Sequence, residues 1–486
     1  MLNQLLEIAA GAFLNIFGYY RLFLRKKHGI LLSSICSLFL LVGCNADNYH
    51  PPSNGFPEPI STIVRQQCSV SGCHTTKSAE AAGGLNLETW DALFEGSRGG
   101  SPIVPYSPKQ SFLMYAINQY STPYPILEPT MPIGLPPLSL ERFREIEQWV
   151  LEGARNDRGE ERFPIQSHRR KWYVGSRGCD FVSVFDAESK QVMRYIPVGA
   201  NPNRVEGPYS IEISPDGQYW YIIFSTFDAH IEKRSTLTDE LIAEIPLGYT
   251  GWNTMVITDD SKYGFICGEN IRDIAVLDLE KNALHGTPIQ LPASIRNPAI
   301  HPNFNKVYLP MSQRSDMLVL DFDNAGTLSN LQTIDMTQGV PPSFPGNLWP
   351  ADILFLPDGS KYFVVCQASN EIRIMDGNTD LLLDVIQVGQ RPSELAISIP
   401  NGHLFVSCSE DSSSFAGEPE KRGSVMVIDI QSHQIIKTIY TGYQPHGLSV
   451  DEKEGFLVVA NRNLEVFSSS QHHPSPCLLY TSDAAD

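Results

Sequence analysis

The chain has 486 residues, of which 42% are hydrophobic and 19% charged, and its formal net charge is −18 at pH 7. This length exceeds one ordinary hydrophobic core, so we expect a leader followed by two folded domains. The acidic balance argues against nucleic-acid binding, which needs basic surfaces to neutralise phosphate, and favours cationic partners.

Near the N-terminus a short basic segment is followed by an apolar one, as in a secretory signal peptide. Arg25–Lys27 precede an apolar run at Ile30–Val42, which is short for a bilayer span. We predict a signal peptide region at 1–43, with 1–24 as an upstream extension. An uncleaved helical anchor is the alternative.

The end of this run, Leu41–Cys44, resembles the bacterial lipobox. The resemblance implies that Cys44 is lipidated and that the protein is held to a membrane of the bacterial cell envelope, as a periplasmic or outer-membrane lipoprotein. Residues 44–58 are polar and proline-rich, as expected for an extended tether between the membrane and the first domain.

Two cysteines and a histidine, Cys68, Cys73 and His74, lie within seven residues of each other behind this leader. Two thiols can add to the two vinyl groups of haem while the adjoining histidine ligates the iron, so we predict one covalent haem c with His74 as the proximal ligand. Four residues separate the thiols instead of the usual two. A small disulfide loop is the alternative, and a zinc site is a poorer one because no second Cys or His pair lies at a suitable distance.

A Met-Pro loop at Pro129–Pro132 follows, with Met131 fifty-seven residues after His74. A thioether is a weak axial ligand that raises the haem potential and suits electron transfer, so Met131 is the predicted distal ligand. Core packing is the alternative role of Met131. Met114 is the competing ligand, although its apolar, helix-like surroundings favour packing.

Helical signals bracket these candidate ligands. Apolar residues share one helical face just before Cys68, and Ser139 can cap a helix with apolar positions at helical spacing, which Gly153 can end. The intervening segments Gly83–Trp90, Ser101–Pro105 and Ser111–Tyr115 resemble, in order, those of small bacterial c-type cytochrome domains, in which a four-residue spacing of the thiols also occurs.

The cytochrome resemblance implies a small all-α domain at 59–156, and the charged, irregular segment at 157–170 is the predicted linker. Tyr106 stands where such domains usually have glycine.

From Lys171 onward the sequence repeats at intervals of roughly forty to fifty residues. Each unit has a turn before a strand, as at Ser214–Tyr219, and an alternating strand that ends in aspartate, as at Val182–Asp186 and Ile372–Asp376. Four short strands per unit predict a β-propeller at 171–470. The repeats resemble the YVTN family of seven-bladed propellers.

The ends of the repeat region predict an incomplete ring. The first unit lacks its opening strand, and the last unit, which begins at Pro445, loses its pattern after Asn461. We therefore expect a multidomain protein in which an all-α cytochrome domain precedes an all-β seven-bladed propeller with a truncated last blade. Residues 477–486 resemble a translated sequencing adapter, so a truncated gene fragment is expected.

Other reactive side chains favour structural roles. Cys267, Cys366 and Cys408 occupy the same place in their repeats as Ala460, which indicates a shared need for a small buried side chain. His446 is placed where it could face a central channel, but no other ligand recurs at a spacing that predicts a second cofactor.

These features predict an exported, lipid-anchored electron-transfer protein whose propeller is a docking surface for an unidentified redox partner. A second hypothesis is a propeller oxidoreductase that uses the cytochrome domain as an electron relay, since the fusion resembles nitrite reductases and propeller subunits of amine dehydrogenases. The third is a surface ligand-binding propeller with a redox-sensing cytochrome domain.

Overall fold

The structure is a computed structural model that describes residues 52–120, 124–166, 168–178, 180–201, 203–224, 229–344, 346–415, 417 and 423–462. Asn54 and the described residues after it lie in one compact unit. The predicted signal peptide, Cys44, most of the tether and the tail at 477–486 lie outside the described residues.

Short helices form the first part of this unit: α1 (Ile60–Ile63), which continues as a π-helical turn at Val64–Cys68, α2 (Trp90–Leu93), α3 (Phe112–Ala116) and α4 (Leu140–Leu151). The predicted helix after Ser139 is confirmed. Ser139 Oγ accepts the backbone N–H of Arg142 at 3.3 Å, and Gly153 follows the helix end with a φ of +96°, which favours glycine.

The helical part has its own aromatic core. The inner face of α4 buries Phe143 and Trp149, and the Trp149 ring lies 5.8 Å from that of Phe56. Trp90 of α2 is buried and donates its Nε1–H to the carbonyl of Ala154 at 2.7 Å, which ties α2 to the end of α4.

Antiparallel sheets form the second part. In chain order their strands are β1 (Lys171–Ser176), β2 (Phe181–Asp186), β3 (Val192–Pro197), β4 (Pro208–Ile213), β5 (Tyr219–Phe224), β6 (His230–Ser235), β7 (Leu241–Pro246), β8 (Thr254–Ile257), β9 (Tyr263–Cys267), β10 (Asp273–Asp278), β11 (Ala283–Leu284), β12 (Ile289–Gln290), β13 (Ala299–Ile300), β14 (Lys306–Pro310), β15 (Asp316–Phe322), β16 (Leu328–Asp335), β17 (Pro350–Phe355), β18 (Lys361–Cys366), β19 (Glu371–Asp376), β20 (Leu382–Gln387), β21 (Pro392–Ser398), β22 (His403–Cys408), β23 (Ser424–Asp429), β24 (Ile435–Ile439), β25 (Pro445–Asp451) and β26 (Phe456–Asn461).

The sheets are arranged as the blades of a propeller. The sheets follow chain order, as in β4–β5–β6–β7 and β17–β18–β19–β20, except that β12 pairs with β10. The first strands of successive sheets, from β4 through β8, β13, β17 and β21 to β25, contact one another and therefore surround a central channel.

The predicted number of seven blades differs from the number observed. The described residues form six blades of three or more strands, the first of which is β1–β2–β3, and β25–β26 add a sheet of two strands. A complete blade needs more strands than the described chain supplies after Asn461. The predicted membership of the YVTN family is not confirmed.

The recurring aspartate is a turn former at the end of the third strand. Asp376 accepts the backbone N–H groups of Asn378 and Thr379, and Asp429 accepts that of Ser432 at 2.7 Å. Hydrogen bonds of this kind hold the pKa of both carboxyls below the usual value. The repeated residue therefore serves the fold and not a reaction.

The repeated cysteines are packing residues in the structure. Cys267, Cys366 and Cys408 end the second strands β9, β18 and β22, and each is fully buried. The predicted equivalence with Ala460 is wrong by one residue, because Asn461 pairs with Pro445 as Cys366 and Cys408 pair with Pro350 and Pro392. Burial raises the pKa of each thiol, which keeps it protonated and unreactive.

The helical part packs on the first blade of the propeller. Val104 belongs to the same apolar cluster as Phe185, Val192 and Tyr195 of that blade. Ser101 Oγ lies 2.8 Å from Gln191 Oε1, to which it donates, and accepts the Val192 backbone N–H at 2.8 Å. These contacts fix the helical part to the blade.

Candidate haem-attachment site

The segment from Cys68 to His74 closes into a compact loop at the end of α1. The His74 backbone N–H donates to the carbonyl of Cys68 at 3.2 Å, and the Cys73 N–H donates to that of Val70 at 3.0 Å. Gly72 has a φ of +86°, which a residue with a Cβ rarely adopts. The four intervening residues therefore form a turn that brings Cys73 and His74 back close to Cys68.

The two thiols are free and close to each other. Cys68 and Cys73 are partly buried and form no disulfide, so the structure does not show the alternative disulfide loop. Burial, together with the neighbouring Cys73, raises the pKa of Cys68 to about 11. Cys68 is thus a protonated thiol at neutral pH, and it packs against the core of the helical part.

His74 is oriented by the segment that follows the attachment loop. Its Nδ1 lies 3.2 Å from the carbonyl oxygen of Leu85, and its own carbonyl accepts the backbone N–H of Leu87 at 2.9 Å. When Nδ1 donates to Leu85, Nε2 is left as the electron-pair donor of the neutral ring. A histidine that ligates a metal is commonly held in this way, because the hydrogen bond fixes both the tautomer and the ring plane.

Met131 lies on a loop that returns to the same core. Its backbone N–H donates to the carbonyl of Ala116 at the end of α3, at 2.7 Å, and its side chain packs against the apolar cluster that Cys68 also contacts. Met114 is fully buried inside that cluster, as the packing interpretation of this residue requires.

A buried amide that the sequence did not point to holds the segment between α3 and the Met131 loop. Asn118 is fully buried, and its Nδ2 donates to the carbonyls of Tyr120, Tyr124 and Pro125, at 2.6 Å for Tyr124. The only available signal was an asparagine directly after the apolar residues of α3. Asparagine is common in loops, so that signal does not identify a buried support.

These residues fit a covalently held haem. The structure brings two free thiols and an oriented imidazole into one loop, and places the Met131 thioether on the cluster that Cys68 contacts. Across the described residues, no group of three His, Cys, Asp or Glu side chains is arranged to hold a bare metal ion. Two thiols beside an imidazole are the side chains that covalent attachment of haem requires.

Comparison with known proteins supports the cytochrome interpretation for part of the chain. The family described as Planctomycete cytochrome C matches residues 71–123, which include Cys73 and His74. No curated protein matches the chain. In the described part, no helix is long and apolar enough to cross a membrane.

Two solved structures are similar to the chain over more than half of its length. Hydrazine synthase of Kuenenia stuttgartiensis is 16% identical, with a TM-score of 0.45 over 57% of this chain and 84% of that one. A functionally unknown protein from Desulfotomaculum acetoxidans is 18% identical, with a TM-score of 0.46 over 59% and 83% of the two chains. The family match at 71–123 and the observed blades, taken together, show a cytochrome c family domain joined to a propeller, as expected of a haem-containing redox protein.

Proposed function

We propose that this protein is an exported electron carrier that holds one haem c in front of a propeller that docks its redox partner. The observation that carries the proposal is the loop from Cys68 to His74. It presents two free thiols, and its His74 Nδ1 lies within hydrogen-bond distance of the Leu85 carbonyl oxygen. Cys73 and His74 lie within the residues that match a cytochrome c family, and Cys68 lies just before them.

Each candidate residue has a distinct role in this proposal. Cys68 and Cys73 would hold the haem covalently through their sulfur atoms, and His74 Nε2 and the Met131 thioether would hold its iron. Bound haem supplies a one-electron couple between ferric and ferrous iron. With His74 and Met131 both holding the iron, the protein would transfer electrons without binding a substrate there.

The junction between the helical part and the first blade supports a scaffolding role for the propeller. Ser101, Gln191 and Val192 hydrogen-bond across it, and Val104 is buried in the apolar cluster of the blade. Haem bound at the attachment loop would therefore stay in place relative to the propeller surface. A partner that docks on the propeller would meet the haem edge in a defined geometry.

Export and membrane attachment are part of the same proposal. Cytochrome c maturation takes place outside the cytoplasm, which agrees with the signal-like order of residues 25–44. Cys44 would carry the lipid, and the proline-rich tether would separate the cytochrome domain from the membrane.

The test is covalent haem in protein produced with a cytochrome c maturation system, measured by the pyridine haemochrome spectrum of the denatured protein. We expect one haem per chain, and a double Cys68→Ser, Cys73→Ser variant without covalent haem. Cys366→Ala is the matched control, because this cysteine is buried in the propeller and is not part of the attachment loop. A full-length protein without covalent haem would refute the proposal.

A further inference from the structure

One side-chain amide connects the haem-attachment loop with the loop that carries Met131. Gln67 directly precedes Cys68 and is half-buried. Its Nε2 donates to the carbonyl of Pro136 at 3.3 Å, and its Oε1 accepts from Arg142 Nη1 at 3.1 Å. A carbonyl can only accept a hydrogen bond and a guanidinium can only donate one, so these two partners fix the orientation of the amide.

Arg142 holds the end of the first helix to the last one. It lies in the first turn of α4, where Ser139 Oγ caps its backbone N–H, and its Nη2 donates to Gln66 Oε1 at 3.2 Å. The same guanidinium therefore contacts two successive residues, Gln66 and Gln67, of the π-helical turn that ends at Cys68. Because α1 and α4 also contact each other, the Gln67 side chain starts from a well-supported part of the fold.

The chain after Met131 depends on side chains to hold it in place. Residues 132–137 include three prolines, so half of this segment has no backbone N–H to donate, and most of the segment is exposed. The Gln67 amide is its first anchor. A second anchor follows at Leu138, whose carbonyl accepts from Tyr120 Oη at 2.9 Å.

We propose that Gln67 is a positioning residue that holds the Met131 thioether at bonding distance from the iron of the bound haem. Gln67 is joined to Cys68 through the backbone and to the Met131 loop through its amide. It therefore fixes the separation between the attachment point and the distal ligand. This inference rests on the proposed function, because it takes Cys68 as an attachment residue and Met131 as a ligand of the iron.

The physical basis of this role is the weakness of the ligand that the loop presents. A thioether binds haem iron weakly, so its occupancy depends on how much ordering the loop needs before the sulfur can bind. A loop that is already held through Pro136 has less conformational freedom to lose than a loose one. Without the bond to Gln67, the thioether should leave the iron more often and give an added ligand easier access.

Two substitutions of Gln67 separate its two hydrogen bonds. Gln67→Leu has a similar size and removes both bonds. Gln67→Glu keeps an acceptor for Arg142 but has no donor for the Pro136 carbonyl, so it removes only the bond to the Met131 loop. Gln66→Leu and Gln66→Glu are the matched controls, because they make the same changes of size and charge at a neighbouring residue that bonds the same guanidinium.

The experiment measures imidazole binding to the ferric, haem-loaded, full-length protein by visible absorption. Imidazole can occupy the iron only where the thioether has left, so its apparent affinity reports how firmly Met131 is held. Because one hydrogen bond to the loop is lost, we expect both Gln67 variants to bind imidazole about two- to tenfold more tightly. Both Gln66 variants should stay within about twofold of the unmodified protein, since Gln66 is exposed.

A spectroscopic signature identifies the group that imidazole displaces. The sulfur-to-iron charge-transfer band should disappear in step with imidazole binding, because the two ligands compete for one position on the iron. Circular dichroism and the content of covalent haem verify that each variant is folded and loaded. A change in imidazole affinity then reports the position of the ligand and not a loss of stability.

Three results, each obtained on protein that carries covalent haem, would overturn the proposal. Unchanged imidazole affinity in either Gln67 variant would show that the bond to Pro136 does not hold the thioether. An equal gain of affinity in the matching Gln66 variant would assign the effect to Arg142 or to the added charge. Absence of the charge-transfer band in the unmodified protein would exclude a thioether as the displaced group. All three leave covalent haem in place, so they are distinguishable from the loss of haem attachment that would refute the proposed function.

Discussion

The assignment of the distal ligand can be tested by replacing each methionine of the helical part separately. Met131→Leu removes the proposed ligand, and Met114→Leu changes a fully buried methionine of the same cluster. Exchange of methionine for leucine nearly conserves volume, so each variant should lose less than about 1.5 kcal/mol of unfolding free energy. Met131 is only partly buried, so in the haem-free protein its replacement should cost less than that of Met114.

The midpoint potential then separates the two roles. Thioether ligation raises the haem potential, and axial ligands span about 0.8 V across haem proteins, so we expect Met131→Leu to lower the potential by on the order of 0.1 V. Met114→Leu should leave the potential unchanged. The assay is potentiometric titration followed by visible absorption, with the sulfur-to-iron charge-transfer band as a second readout. A lowered potential in Met114→Leu alone would make Met114 the ligand.

Three further substitutions test contacts that stabilise the propeller, the helical part and the junction between them. Glu371→Gln leaves the fully buried Arg373 without its carboxylate partner at 2.7 Å, so urea unfolding followed by circular dichroism should show a loss of about 3 to 5 kcal/mol. Ser139→Ala removes the cap of α4 and should cost about 1 kcal/mol in the same assay. Ser101→Ala removes the acceptor of the Val192 N–H, so exchange of that amide with deuterium should become faster.

Most of the local structure could be predicted from the sequence because its signals are short-range. Ser139 and Gly153 mark the ends of α4, and the aspartates of the third strands mark tight turns, because each acts on backbone groups within a few residues. The Cys68–His74 loop is likewise complete within seven residues. These features need no knowledge of the rest of the fold.

The ion pair between Glu394 and His446 could not be predicted in this way, because its members lie on the first strands of different blades. The distance between Glu394 and His446 depends on how neighbouring blades pack, and no repeat pattern contains that information.

The packing between the helical part and the first blade leads to a last prediction about cooperativity. Buried residues of the helical part, such as Phe143 and Trp149, belong to one continuous cluster with Val182, Val184 and Met193 of the blade. A small helical segment buries too little surface to be stable by itself, so this shared core should make it unfold together with the blade.

Urea unfolding followed in parallel by haem absorbance and by far-ultraviolet circular dichroism measures this cooperativity. We expect the two transitions to coincide, because loss of the blade removes one side of the helical core. Deletion of residues 54–156 should, for the same reason, expose Phe185, Val192 and Tyr195 and make the remaining propeller prone to aggregation. A haem transition at clearly lower urea than the loss of strand signal would show instead that the helical part is stable independently, and that it could move relative to the propeller during electron transfer.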